Sequence, residues 1–356
     1  MSSTLHFGII GCGVIGPVHA NAIAHLPHAR LVGVCDTVRE RADRLAHEYA
    51  VPFVTTEYQA LLERPDLDAV CICTPHYLHA EMAIAAAAAG KHVFCEKPMA
   101  ISPAQMDAMI AAAERAGVQL GICFQHRFDP VVAHLRQLIA DGGFGRLLLG
   151  GAHCRCLRDA RYYTSEQWRG TWQYEGGGVL INQAIHTIDL MLWLLGEPTS
   201  VQGTFSTLRW HDCIEVEDTA TGVVTFASGA QGHIVATSAS HLEWDTRLHV
   251  YGTEGSAVVS TGFPVAFTFL ETSGAPAAAA MEEEAAPQVG KTCYGNSHIR
   301  ALEAFTDAVL SATPYPITGH SARRAVEVIL GLYASSRAGT PVQLAGGALN
   351  EPAARR

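Results

Sequence analysis

Five short apolar runs recur through the first third of the chain: LHFGII (5–10), RLVGVC (30–35), DAVCIC (68–73), HVFC (92–95) and VQLGIC (118–123). Each is too short for a buried helix and is flanked by turn or charged residues, so each predicts a strand covered on both faces. Between them the apolar spacing predicts helices at 14–26, 38–50, 57–63, 81–90 and 102–117. Strands alternating with helices at this interval predict βαβ units and a parallel sheet. After about residue 125 the rhythm changes. A helix at 130–140, a strand at 146–156 and a helix at 178–195 lead into strands at 200–209, 217–227, 230–240, 246–252, 256–260 and 265–270. That pattern predicts an α+β second half built on a large, mostly antiparallel open sheet. Residues 274–287 are low-complexity and read as a surface loop. Helices are expected at 297–311 and 320–338, and the tail from Gly346 has little to bury. The expected domains are therefore 1–125, 126–345 and a tail at 346–356.

A length of 356 residues favours two domains over one, and 49% hydrophobic with 16% charged residues fits a compact globular chain. A formal charge of −10 argues against nucleic acid or an anionic membrane surface as the main partner. MSSTLHFGII carries no basic segment ahead of a long apolar core, so no signal peptide is read, and a cytoplasmic location is expected. No apolar run is long enough to predict a membrane span. The 10 cysteines include pairs two apart at Cys71/Cys73 and Cys154/Cys156, but no C-x-x-C. They read as reduced core residues. The 18 histidines are scattered, H-E-x-x-H is absent, and no metal is expected.

GIIGCGVIGPVHA holds the first chemistry. Gly11-x-Gly13-x-x-Gly16 follows the first strand and opens the first helix. There Gly11 allows a tight turn, Gly13 lets the backbone approach a pyrophosphate, and Gly16 lets helix and strand pack closely. The helix N-terminus adds N–H groups and a positive dipole end. Asp36 lies 20 residues after Gly16, at the end of the second strand, where a carboxylate can hold the adenosine ribose. A carboxylate favours the 2′-hydroxyl of NAD over the 2′-phosphate of NADP, with Arg39 and Arg41 nearby pulling the other way. A second oddity is HVFCEKPMA (92–100), where Glu96 and Lys97 end an apolar strand. Such charges are costly unless solvated, paired or used. They could form a strand-end ion pair, or they could serve a ligand in the crevice at the strand ends.

Four stretches in order resemble the glucose–fructose oxidoreductase / inositol dehydrogenase / rhizopine catabolism (Gfo/Idh/MocA) oxidoreductases. They are GCGVIGPVHA, CICTPHYLHAEMAIAAAAAGKHVFCEKPMA, WRGTWQYEGGGVLINQAIHTIDLMLWLLG and the closing HIRALEAFTDAVLSATPYPITGHSARRAVEVILGLYASSRAGTPVQL. The resemblance implies a Rossmann domain followed by an α+β domain that binds substrate and mediates oligomerisation. It implies Lys97 as the catalytic lysine and Glu96 as a contact to the nicotinamide ribose. Val14, Ile15, Thr37, Arg41, Thr74, Pro75, His79 and Gln125 are expected at the cofactor, though His79 could equally be a structural cap. Trp168 and Arg169, from WRGTW, and Tyr294, from CYGNSH, are further cofactor candidates. GGGVLINQAIHTIDL supplies His186 as the catalytic base, with Asn182 and Asp189 spaced to share its helix face. Many relatives carry aspartate where Asn182 stands. Asparagine can hold a substrate hydroxyl or position His186, but it brings no charge. Arg127, Tyr162 and Tyr163 are expected to line the substrate cleft.

The implied reaction is hydride transfer between a secondary alcohol of a sugar, polyol or sugar derivative and NAD, with no metal. Two rivals are a redox-neutral enzyme that retains NAD and a non-catalytic NAD-binding regulator. A homodimer or homotetramer is expected, because a sheet covered on one face by helices leaves the other face to be buried.

Overall fold

The computed structural model describes residues 4–262, 268–273, 296–345 and 348–349. Tyr294 and the expected loop at 274–287 lie outside them. By contact the chain divides into two compact units, Met1–Gln125 with Ala286–Arg323, and His126–Ala285 with Arg324–Arg356. The sequence reading drew a single boundary at 125/126 instead.

The first unit carries strands β1 (Leu5–Ile10), β2 (Ala29–Cys35), β3 (Phe53–Thr55), β4 (Ala69–Ile72), β5 (His92–Glu96) and β6 (Leu120–Cys123). Helices α1 (Gly16–His25), α2 (Arg39–Tyr49), α3 (Tyr58–Leu62), α4 (His79–Ala88) and α5 (Pro103–Ala116) connect them. The strands pair in parallel in the order β3-β2-β1-β4-β5-β6. The order reverses between β1 and β4, and ligands of such sheets bind outside the strand C-termini at that switch. The interiors of β4, β5 and β6 are fully buried, which explains their unbroken apolar sequence. The three-residue β3 was missed because FVT is too short to show a period. Alanines dominate α4 because it packs closely: Ala80, Ala83, Ala86 and Ala87 are buried.

The second unit carries α6 (Pro130–Ala140), β7 (Leu147–Leu157), α7 (Ala160–Thr164), a π turn at Leu180–Ala184 and α8 (Ile185–Leu195). Strands β8 (Pro198–Ser206), β9 (Thr219–Phe226), β10 (Gln231–Thr237), β11 (Ala239–Gly252), β12 (Ser256–Gly262) and β13 (Thr268–Ser273) follow. The chain then passes through α9 (Ser297–Leu310) and α10 (Gly319–Ala338) to β14 (Val342–Ala345) and β15 (Ala348–Leu349). Helix α9 belongs to the first unit. There Phe305 lies against Phe94 and Phe7, with ring centroids 5.1 and 6.3 Å apart.

The second sheet runs β13-β12-β11-β7-β10-β9-β8-β14-β15, antiparallel except for the β7–β10 pair. Its inner face is built for close packing. A Cβ on Gly150 would strike Leu195, one on Gly232 would strike Phe226 and Met191, and one on Gly222 would strike Leu332. The alternation of β9 and β10 leaves the opposite face partly open. On it Leu149, Val223 and Tyr251 are exposed, beside a cluster of His153, His233 and His249. Among the described residues no helix is long and apolar enough to cross a membrane.

Candidate active site

At the C-terminal ends of β1 and β4 the glycine turn has the shape its sequence implies. Gly11 has a φ of +97°, and a Cβ there would sit 2.6 Å from the Cys73 carbonyl oxygen. A Cβ on Gly16 would collide with the Gly11 carbonyl oxygen, whereas one on Gly13 would meet no protein atom within 4 Å. The space over Gly13 is therefore open to a phosphate, and α1 begins there with no side-chain cap. Val14 projects from the same turn, exposed, with Ile15 half-buried behind it.

Asp36 ties this turn to β2. Its Oδ2 accepts from the Cys12 N–H at 2.8 Å and its Oδ1 from the Val38 N–H at 2.8 Å. Thr37 is exposed beside it and Arg41 half-buried. Arg39 is engaged with Asp43 at 2.8 Å, one helical turn away, which weakens its claim on a 2′-phosphate. Two further groups fit a bound dinucleotide. Among the described residues the Thr74 hydroxyl, next to Pro75 after β4, is buried with no hydrogen-bond partner, and so is Gln125 Oε1 after β6. Orphaned buried oxygens are rare in a finished fold and mark places where a ligand completes the bonding. The residues present thus fit NAD.

Two expected cofactor contacts prove to be internal. His79 is fully buried, its Nδ1 against the Pro98 carbonyl at 2.7 Å and its Nε2 against the Thr74 carbonyl at 2.9 Å. It is a strut between the loops after β4 and β5, not a ligand contact. Glu96 is buried as well. Its Oε1 accepts from His19 Nε2 at 2.8 Å, with His298 Nε2 at 3.5 Å, and its Oε2 accepts from the Lys97 backbone N–H at 3.2 Å. Burial pushes this carboxyl up, but the hydrogen bonds from His19 and His298 more than offset it and hold it well below the usual carboxylate range. Cys123 completes the cluster, whose donor atoms lie within 4.8 Å of one another. Glu96 therefore positions Lys97, which is half-buried at the strand end.

The second unit supplies the other residues. Glu217 accepts from the Gly178 N–H at 2.8 Å and the Leu180 N–H at 2.9 Å, capping the start of the π turn, and from the Tyr333 hydroxyl at 2.9 Å. Gly178 has no room for a side chain, because a Cβ would collide with the Glu217 carbonyl oxygen. Between Glu175 and Leu192 only Asn182 and His186 are not fully buried. The ring of His126 lies edge-on to His186 at 5.1 Å, and its Nδ1 donates to buried Asp129 at 2.7 Å.

Asn182 donates through Nδ2 to the Tyr162 hydroxyl at 3.1 Å and to Glu175 Oε1. Glu175 is buried, its Oε2 accepts from the Gly170 N–H at 2.5 Å, and burial pushes its carboxyl up to about 7 against the pull of these donors and Arg169. Arg169 donates to the Tyr162 carbonyl at 3.1 Å and stacks over the Tyr162 ring at 4.2 Å, with Trp168 beside it. Tyr162 thus belongs to the polar cluster around Asn182. Tyr163 does not: it is buried against Ile214 and Val216 with its hydroxyl on Ser238 at 2.8 Å. Arg127 is also committed elsewhere. It pairs with Asp189 through two hydrogen bonds of 2.7 and 2.5 Å, both side chains nearly buried. Asp189, offered by spacing as a neighbour of His186, is its structural partner. The sequence reading missed Glu175, Glu217, His126 and Asp129. Glu175 stood beside the three glycines, and that adjacency was the one available signal.

Residues 5–124 match the model of the oxidoreductase family with an NAD-binding Rossmann fold, and residues 132–258 match the GFO/IDH/MocA C-terminal domain. The chain is 30% identical to the scyllo-inositol 2-dehydrogenase (NAD(+)) of Bacillus subtilis over 97% of both chains. It is 32% identical to the levoglucosan dehydrogenase of Pseudarthrobacter phenanthrenivorans over 71% of this chain and 73% of that one. The WlbA dehydrogenase of Bordetella pertussis, solved with NADH and UDP-GlcNAcA, superimposes with a TM-score of 0.85 at 27% identity, covering 97% of this chain and 99% of that one. With both halves matched, the chain belongs to the Gfo/Idh/MocA family of oxidoreductases.

Proposed function

We propose that this enzyme oxidises a secondary alcohol of a sugar, polyol or sugar derivative with NAD, using Lys97 and His186. The observation that carries the residue assignment is the selective exposure of Asn182 and His186 in an otherwise buried run. Support for the substrate class comes from the relatives, whose names are inositol and levoglucosan dehydrogenases.

Gly11, Gly13 and Gly16 would hold the pyrophosphate, Asp36 the adenosine ribose, and Thr74 and Gln125 the nicotinamide half. When bound, NAD supplies the carbon that receives the hydride. The chain's own residues handle the proton and the charge. His186 takes the hydroxyl proton, and the Lys97 ammonium donates to the alcohol oxygen, stabilising the negative charge that develops there. His126, anchored by Asp129, packs edge-on against the His186 ring and limits its rotation. We further infer self-association of the second unit through the open face of its sheet, where Leu149, Val223 and Tyr251 are exposed.

A screen of NAD reduction over polyols, aldoses and glycosides tests the reading. Oxidation of at least one such alcohol, lost in His186→Ala, is expected. Protein purified with NAD already bound that converts a sugar without net NADH would point to the redox-neutral rival, and no sugar chemistry at all would overturn the proposal.

A further inference from the structure

The three imidazoles on the open face of the second sheet come from three neighbouring strands. Gly151 on β7 stands opposite His233 on β10 and opposite His249 on β11, and His153 lies two residues further along β7 on the same face. Gly151 is what lets the rings meet. A Cβ there would sit 2.4 Å from Cε1 and Nε2 of His233, so a side chain at this position would keep that ring off β7. With glycine there, His233 Nε2 lies 2.8 Å from His153 Nε2, and the His249 ring packs against His153 with centroids 4.9 Å apart. One ring of the close pair must donate an N–H and the other accept it, so two added protons would set N–H against N–H. Burial holds all three below the ordinary imidazole range and brings His153 down to about 4, the neighbouring rings and Arg155 adding to the effect.

Charges are sparse around them. Strands β7, β9, β10 and β12, with β11 from Asp245 to Tyr251, contain no lysine or glutamate, and their charged residues are Arg155, Asp245 and Arg247. Both arginines pair with Asp245, Arg247 at 3.0 Å. The other titratable group on this face of these strands is Tyr251, whose hydroxyl bonds His249 Nδ1 at 3.3 Å. In a chain of formal charge −10 this is a place where a second, equally acidic copy can approach without a surplus of like charge.

We propose that His153, His233 and His249 form an acid-sensitive latch in the contact between two copies: as neutral rings they pack against the second copy, and as cations they drive it off. This rests on the reading that the second unit self-associates through this face. In an isologous contact both copies contribute the same surface, so protonation brings up to three new charges from each side, beside Arg155 and Arg247, into a region that excludes water. Covering the rings lowers their proton affinity further, so assembly and proton uptake oppose each other. Association is at full strength above the range in which a separate copy takes up protons, and it weakens as the pH falls through that range. Each proton taken up on dissociation raises the dissociation constant about tenfold per pH unit.

Sedimentation velocity over a dilution series from pH 8 to pH 5 reads the latch, in EDTA so that no metal holds the rings, with far-UV circular dichroism at each pH. The native protein is expected to be a dimer or tetramer at pH 8, with a dissociation constant at least about 10-fold higher at pH 5. About 1 M salt should reverse most of that loss, because it screens the repulsion. The H153Q/H233Q/H249Q protein keeps polar side chains but cannot take up the protons, and it should associate equally at both pH values. Native protein that is monomeric at every pH overturns the self-association reading, and the latch with it. Native protein that associates equally at pH 8 and pH 5 overturns the latch alone, as does an acid loss that the triple variant retains or that salt does not move. Loss of the dichroism signal where the copies separate assigns the dissociation to unfolding and overturns it too. If the triple variant does not fold, the salt response of the native protein decides.

Discussion

Replacing His19 with leucine strips the buried Glu96 carboxylate of its shortest side-chain hydrogen bond, at 2.8 Å, and leaves His298 at 3.5 Å and the Lys97 N–H at 3.2 Å. Both side chains are almost wholly shielded, 0% and 8% exposed, so water cannot take over the bond. Breaking a buried pair by removing one partner costs about 3–5 kcal/mol. With the His298 imidazole, the Lys97 N–H and the Cys123 thiol still beside it, about 3 kcal/mol is expected, or roughly 6–12 °C in Tm for a unit of this size. The pH dependence makes the cause visible. In the native enzyme Glu96 is held well below the usual carboxylate range, so its contribution is full above that range and is lost as the pH falls through its depressed value. In His19→Leu burial prevails, the carboxyl moves up, and the penalty at neutral pH disappears as acidification protonates it. The gap between the two proteins is therefore widest at pH 7–8 and narrows toward pH 5. His19→Gln keeps a donor and should stay within about 1 kcal/mol of the native enzyme. Thermal unfolding from pH 5 to 8 decides it. A His19→Leu protein less than about 1 kcal/mol weaker at pH 7, or a gap that does not change with pH, would refute the reasoning.

Three other outcomes are expected. Lys97→Ala should cut turnover by about 10² or more while NAD affinity, read by fluorescence titration, is retained. Asp36→Ser should narrow the preference for NAD over NADP mainly by weakening NAD, because the ribose contact and the bonds to the Cys12 and Val38 N–H groups are lost together; an enzyme already preferring NADP contradicts this. Native protein should scatter light as a dimer or tetramer at micromolar concentration, and Val223→Lys on the open face should shift it toward monomer.

The βαβ half of the chain was legible because strands buried on both faces must be apolar throughout, and glycines at a phosphate turn have no substitutes. The second sheet was legible where burial alternates, as in β9 and β10. The roles of the polar residues were not. His19 and Glu96 are 77 positions apart and meet only after α1 packs on the sheet, while His298 arrives from α9, near the other end of the chain. Helical spacing placed Asp189 with His186. Spacing says nothing about Arg127, whose guanidinium claims both carboxylate oxygens of Asp189 from 62 positions away. His79 could be assigned to the cofactor or to the fold on equal grounds from sequence, and its full burial between two backbone carbonyls within 3 Å favours the fold.

The two halves of the proposed chemistry rest on buried acids tuned in opposite directions. Glu96 is surrounded by imidazole donors and stays ionised, so nothing in the working pH range alters its hold on the Lys97 backbone. Glu175 accepts from the Asn182 amide and the Gly170 N–H, with the Arg169 guanidinium also favouring its charged form, and burial outweighs them, raising its carboxyl to about 7. Neither acid touches the reacting group in the proposed mechanism. Glu96 holds the backbone of Lys97 in one unit, and Glu175 holds the amide of Asn182, one helical turn before His186, in the other. It follows that a pH dependence arising from these two acids enters through Glu175 and not through Glu96: as the pH falls through neutrality Glu175 gains a proton, while Glu96 stays ionised. Acidification through neutrality should therefore change turnover before it changes NAD affinity, and Glu175→Gln should remove that part of the pH dependence.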